Sequence, residues 1–358
     1  MNKITTILFL IFSSILYGQG IDSTKIKQIE MYEKIMYEMN SNVFKKQNLY
    51  SELDRKFKLP WKAEKVNTIK QYENALDTLI QKAEIEISGS FPSLTLTFQS
   101  SFPTYIEEKL FDVFKLTIKS YNFKTLNIKP IKLQKTGSVT YGSYVSSGFK
   151  ENGELYHSEW KTINTTFNIH SEKKVKKEDL KGFFLFNSGF VTDYDFIKID
   201  KSSIGKSLFI GDIKFTVIDI IENKIILDFK QDIKDIKFEF VNLDNRGSKI
   251  SQIPYLDFEK LKEEGKIPSG TLPQATGSQT INKIEFDLFK LKPDLSFTDY
   301  KIFAHPKFVE IFNSENQKET ADKIWGKKYL LFFSADKIQN FYLYKPKYIE
   351  KEFEMKIK

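Results

Sequence analysis

The sequence predicts a mainly β fold of tandem antiparallel β-sandwich-like units preceded by an N-terminal helical hairpin. Three observations carry this. Between Phe183 and Ser248 apolar and polar residues alternate repeatedly: Ile213, Phe215 and Val217 with Lys214 and Thr216, and Ile236, Phe238 and Phe240 with Lys237 and Glu239. Ile225, Leu227 and Phe229 alternate with Lys224, Asp228 and Lys230 on either side of Ile226. Successive side chains on a strand point to opposite faces, so this pattern builds a sheet wetted on one side. Second, the breaks carry turn chemistry, at Glu222-Asn223, Gln231-Asp232 and Asp244-Asn245-Arg246-Gly247, so the stretch reads as a meander. Third, the period changes near Glu84, from steps of three and four to steps of two.

In chain order, residues 1–20 read as an export signal. Lys3 supplies the positive start, Ile4 to Leu16 a mostly apolar run, and Gly18 and Gly20 small residues for cleavage after Gly20, or after Gly18 to leave Gln19 first. Residues 21–84 read as the helical hairpin. Ile26, Ile29, Tyr32, Met36 and Met39 form one amphipathic stripe, and Val66, Ile69, Tyr72, Leu76, Ile80 and Ala83 form the other. Residues 85–172 read as a first β-rich unit, with a short helix over Thr104 to Phe111. Residues 173–265 hold a polar connection, the meander and a short helix through Tyr255, Phe258 and Leu261, stopped at Gly265. The Pro, Gly and Ser content of 266–281 marks a linker. The last unit, 282–358, reads as β-rich: Ile284, Phe286 and Leu288 as a strand, Gln317 to Trp325 as a helix, then strands at Tyr329 to Phe333, Phe341 to Tyr344 and Phe353 to Ile357.

Composition excludes several functions. The chain has no cysteine, so disulfides, thiolate metal sites, cysteine nucleophiles and a lipoprotein anchor at the cleavage site are ruled out. Its net charge of +8 does not indicate nucleic acid. Arg55 and Arg246 are the only arginines, whereas phosphate and guanine recognition favours the planar guanidinium. The lysines are interspersed with acids along polar strand faces. Beyond the first twenty residues no apolar run reaches the ~20 residues that span a bilayer. Phosphate loops, nucleophile elbows, His-Glu-x-x-His and EF-hand motifs are absent, and no cofactor is implied.

Three features remain as candidate sites. The stretch Thr136 to Trp160 reads as loop-like, with Tyr141, Tyr144, Phe149, Tyr156 and Trp160 set among glycines and serines. Aromatic rings on small-residue segments give contact area at low entropy cost, so Tyr141, Tyr144, Tyr156 and Trp160 are the expected ligand-binding residues, for a protein or glycan partner. His-Ser-Glu occurs at His157 to Glu159 and again at His170 to Glu172. A fold-back about Ile163-Asn164 would place His157 opposite His170 with Glu159 on the same face, a possible divalent-metal set. His305, beside Pro306, reads as a loop residue. Asp193 and Asp195, in an expected turn, are the acids a glycosidase reading would use. The function these features favour is an exported, non-catalytic binding or structural protein of the cell envelope, secreted or periplasmic. The alternative is a secreted hydrolase acting on polysaccharide.

Overall fold

The computed structural model describes residues 23–357 apart from 66, 91–92, 104–113, 126–132, 136–139, 171–179, 232, 234–235, 237, 269 and 272–274. The expected export signal, the helix over Thr104 to Phe111 and the polar connection after Glu172 lie outside the described residues. Among those described, the chain is mainly antiparallel β, in three sheets, with six helices. It forms two compact units, each assembled from two stretches: residues up to Phe57 with Ile197–Leu343, and Lys58–Phe196 with the segment from Tyr344. The serial boundaries expected from the sequence differ from this. The crossings fall inside two long strands, β8 (Leu180–Ile199) and β16 (Asn340–Ile357), and no composition change marks them.

The first unit holds a five-stranded sheet in the order β14 (Gly277–Asn282), β15 (Lys328–Phe333), β11 (Lys224–Phe229), β10 (Ile213–Ile221), β9 (Ser207–Ile210). The meander is present as β9-β10-β11 and stops there. Residues from Ile236 do not continue it, because β12 (Glu239–Leu243) joins β13 (Lys249–Ser251), β1 (Glu52–Asp54) and the first residues of β16 in another sheet. The expectation that β11 wets one face is corrected too. Ile225 and Leu227 face a core with Phe215 and Phe341, and Ile226 faces a second one with Val43, Ile281 and Phe286. Lys224 and Asp228, expected in water, are therefore buried.

The second face is covered by helices. Helix α1 (Ser23–Phe44) buries Ile29, Tyr32 and Val43 on one stripe. α4 (Lys283–Leu291) replaces the strand expected around Ile284. Period-two alternation over five residues does not separate strand from helix, and Phe286 and Phe289 are buried while Ile284 is partly exposed. α5 (Phe297–Asn313) carries His305 and Pro306 inside it, so His305 is helical and not in a loop. α6 (Gln317–Trp325) matches its expected bounds. α3 (Tyr255–Glu263) stops at Gly265 in the left-handed region, φ 69°. β14 occupies the end of the expected linker, paired from Gly277↔Phe333 to Asn282↔Lys328.

In the second unit α2 (Ile69–Gln81) begins at a capping box in which Thr68 and Gln71 satisfy each other's backbone amides. It buries Tyr72, Ala75, Leu76 and Leu79 in a core shared with two groups of strands. One group is β2 (Glu84–Ser90), β3 (Ser93–Pro103) and β7 (Leu155–His170), contributing Ile87, Leu96, Phe98 and Ile163. The other is β4 (Phe114–Thr125), β8 and β16, contributing Phe114, Phe184, Phe186, Phe190 and Phe353. The two helices expected over 21–84 thus both form, one in each unit, each with its own packing partners.

Candidate functional site

The stretch expected as a loop is a β-hairpin. β6 (Thr140–Phe149) pairs with β7 from Thr140↔Asn164 to Phe149↔Leu155. This register sets Tyr144 opposite Trp160, Tyr156 opposite Gly148 and Tyr141 opposite Ile163. Four expected contact residues therefore lie on one hairpin, Tyr156 in its two-stranded part and Tyr141, Tyr144 and Trp160 where β3 also pairs with β7. β3 pairs with β7 only as far as Pro103↔Trp160, so among the described residues the first five positions of β7, 155–159, pair with β6 alone. Among the described residues no third strand lines this part of the hairpin.

Its tip shows the consequence. Phe149 is 75% exposed and Leu155, directly opposite, is 68% exposed. The five residues between them are well ordered by their own bonds. Lys150 N–H donates to Glu154 O at 2.8 Å, Gly153 N–H to Lys150 O at 2.8 Å, and Glu154 N–H to Asn152 Oδ1 at 3.2 Å. Gly153 takes φ 82°, the left-handed conformation that suits glycine. Bonds from Asn152 and Lys150 hold the Glu154 carboxyl below its usual range. A fixed turn thus displays an apolar pair in water. Leu155 was not singled out from the sequence, and its only signal was an apolar residue closing a Gly-containing turn.

The same register overturns the basis of the histidine pair. β7 runs unbroken through Ile163 and Asn164, so there is no fold-back there. His157 aligns with Ser147, Glu159 with Val145 and His170 with Ser93. Thirteen positions along one strand separate the two histidines by ~43 Å, too far to share a metal ion. Thr162 before the Ile163-Asn164 step and Thr165 and Thr166 after it, all β-branched, favour continuing the strand.

Asp193 and Asp195 lie within β8 rather than in a turn, and each has a lysine: Lys65 Nζ is 3.6 Å from Asp193 and Lys347 Nζ 2.7 Å from Asp195. The Tyr194 N–H keeps Asp193 below the ordinary carboxylate range. A glycosidase needs one acid raised above that range.

In the first unit a depression of about 790 Å³ is lined by Asp200, Ser202, Ile221, Glu222, Lys337 and Gln339. Glu222, in the two-residue connection between β10 and β11, is the one non-glycine with positive φ (50°) among the described residues. Such a conformation persists only when its surroundings enforce it. Here the 334–339 loop does so: Ile338 N–H donates to Glu222 O at 3.0 Å, and Ser334 N–H to Asn223 O at 2.9 Å. The buried Asn223 amide returns a bond to Ser334 O at 2.7 Å. Asn242, also buried, donates to Ser334 Oγ and Lys337 O and accepts from Gln339 N–H. Ser202 holds the Asp200 carboxyl low, and Glu222 lies 3.6 Å from Lys337. This rim offers fixed charges on both sides of the depression.

Two acids are fully buried elsewhere in this unit, Glu33 on α1 and Glu285 on α4. Tyr300 OH donates to Glu285 Oε1 at 2.6 Å and Asn282 Nδ2 to Oε2 at 2.8 Å. Burial raises the Glu285 carboxyl above its usual range. Glu33 Oε1 is 2.6 Å from His305 Nδ1. Among the described residues no group of three or more His, Asp and Glu is arranged to hold a metal ion, and no helix is long and apolar enough to cross a membrane. The chain matches no protein-family model, and no curated protein aligns with it.

Proposed function

We propose that the protein is an exported, non-catalytic binding or structural component of the cell envelope, secreted or periplasmic, that engages a protein or glycan partner through the β6–β7 hairpin. The observation that carries this is the Phe149–Leu155 pair, set face to face at the end of a two-stranded ribbon and open to solvent. Burying two such side chains against a partner contributes ~1.5–3 kcal/mol each before the costs of association. Tyr144 and Trp160, paired farther along the same hairpin, lie on its other face. In this reading each unit is sandwich-like, the second carries the hairpin, and residues 1–20 direct export.

The test is to express the whole chain from its own start and recover it from envelope fractions. The mature protein is expected to begin at Ile21, or at Gln19, and to be retained on envelope material. A Phe149→Ser, Leu155→Ser double variant is expected to lose retention at least tenfold with an unchanged unfolding midpoint. Equal retention of the two proteins would refute the assigned surface, and unprocessed protein confined to the cytoplasm would refute export.

A further inference from the structure

The helical face of the first unit contains an arrangement that the hairpin reading does not use. α1 is docked on α4 and α5 by rings: Phe44 lies 5.4 Å from Phe286, Tyr37 lies 5.6 Å from Tyr300, and Tyr32 lies 5.4 Å from Phe312. Tyr37 OH also donates to Leu295 O at 2.9 Å. Inside this contact sits Glu285, with no exposure to solvent. The groups facing it are Tyr300 from α5, Asn282 from β14 and Asn40 from α1. None of them is a cation. The charged groups nearby belong to other pairs: Glu33 with His305, and Glu30 with Lys301 at 3.0 Å near the surface. Glu33 itself brings a second buried carboxyl, whose Oε2 has no hydrogen-bond partner.

A carboxylate formed at Glu285 must therefore stand in an apolar interface facing three neutral groups, Tyr300, Asn282 and Asn40. Ionised groups in such places are costly unless paired or reached by water. Water reaches Glu285 when α1 lifts from α4 and α5. We propose that α1 is held by a proton-linked clasp, in which ionisation of Glu285 loosens the helix from α4 and α5.

The sign follows from the burial. An unfolded glutamate titrates near ~4.3, and burial raises Glu285 above that. The contribution of the neutral carboxyl is complete below the unfolded value and is lost as pH rises through the raised one. Tyr300 stays a hydroxyl donor throughout, since burial and the adjacent Glu285 push its phenol far up.

Hydrogen exchange of α1 amides, corrected for intrinsic rates, tests this at pH 5 and pH 9. Protection in α1 is expected to fall at least tenfold at the higher pH while β10 and β11 keep theirs. Glu285→Gln is expected to make α1 protection independent of pH. Tyr300→Phe, which removes a bond favouring the charged form, is expected to move the loss to higher pH and serves if the first variant does not fold. Unchanged α1 protection in the wild type, an equal fall in Glu285→Gln, or an unshifted fall in Tyr300→Phe would each overturn the proposal.

Discussion

Asn242 shows how much one side chain sets locally. It is a polar residue between Val241 and Leu243 in a strand, and it is buried because its amide replaces water for the 334–339 loop. Asn242→Ala would leave the Lys337 carbonyl, the Gln339 amide and the Ser334 hydroxyl without that partner. At ~1 kcal/mol or more for each buried group so orphaned, the loss of stability is expected to be ~2–4 kcal/mol, read from urea denaturation. A loss below ~0.5 kcal/mol would show that water replaces the amide without cost. Residues of this kind were not legible in the sequence. Asn242, Glu33 and Glu285 look like ordinary polar positions until the fold shows that they lie on buried stripes. Glu33 carried a faint signal, falling four residues after Ile29 and three before Met36 on the apolar face of α1.

Elements were legible where local chemistry ends them. Thr68 and Gln71 start α2, Asn316 caps α6 and Gly265 stops α3, and each boundary can be read from nearby residues. Strand existence was legible from alternation, but strand partners were not, because alternation records a face and not a neighbour. β8 and β16 illustrate this. Nothing in the residues around Gly189 announces that the backbone of Ile349 passes within 2.7 Å of where its Cβ would stand. Gly189→Ala must push these strands apart, and a stability loss of ~1–3 kcal/mol is expected from overpacking, with the thermal midpoint as the readout. An alanine tolerated without loss would mean that the β8–β16 approach is looser than described. The histidine pair failed for the same reason. The fold-back needed a turn at Ile163-Asn164, and β7 instead gains partners on both sides by staying straight.

At the scale of the molecule, the mainly β character and the presence of both early helices were expected. The division into two units, each built from two separated stretches, was not. Long strands that enter one unit and finish in another leave no linker to find. The candidate contact surface was legible as composition, since the aromatic stretch from Tyr141 to Trp160 stands out. Its form as a ribbon, with Phe149 and Leu155 at the tip, depends on the pairing register and emerges only from the fold. The most direct measurement is site-specific photo-cross-linking from position 149 in cells, with position 256 as control, because Leu256 is equally open to solvent at 81% exposure but lies on α3. The account predicts one discrete envelope adduct from position 149 and none from position 256. The same pattern from both positions, or no adduct from either, would contradict it.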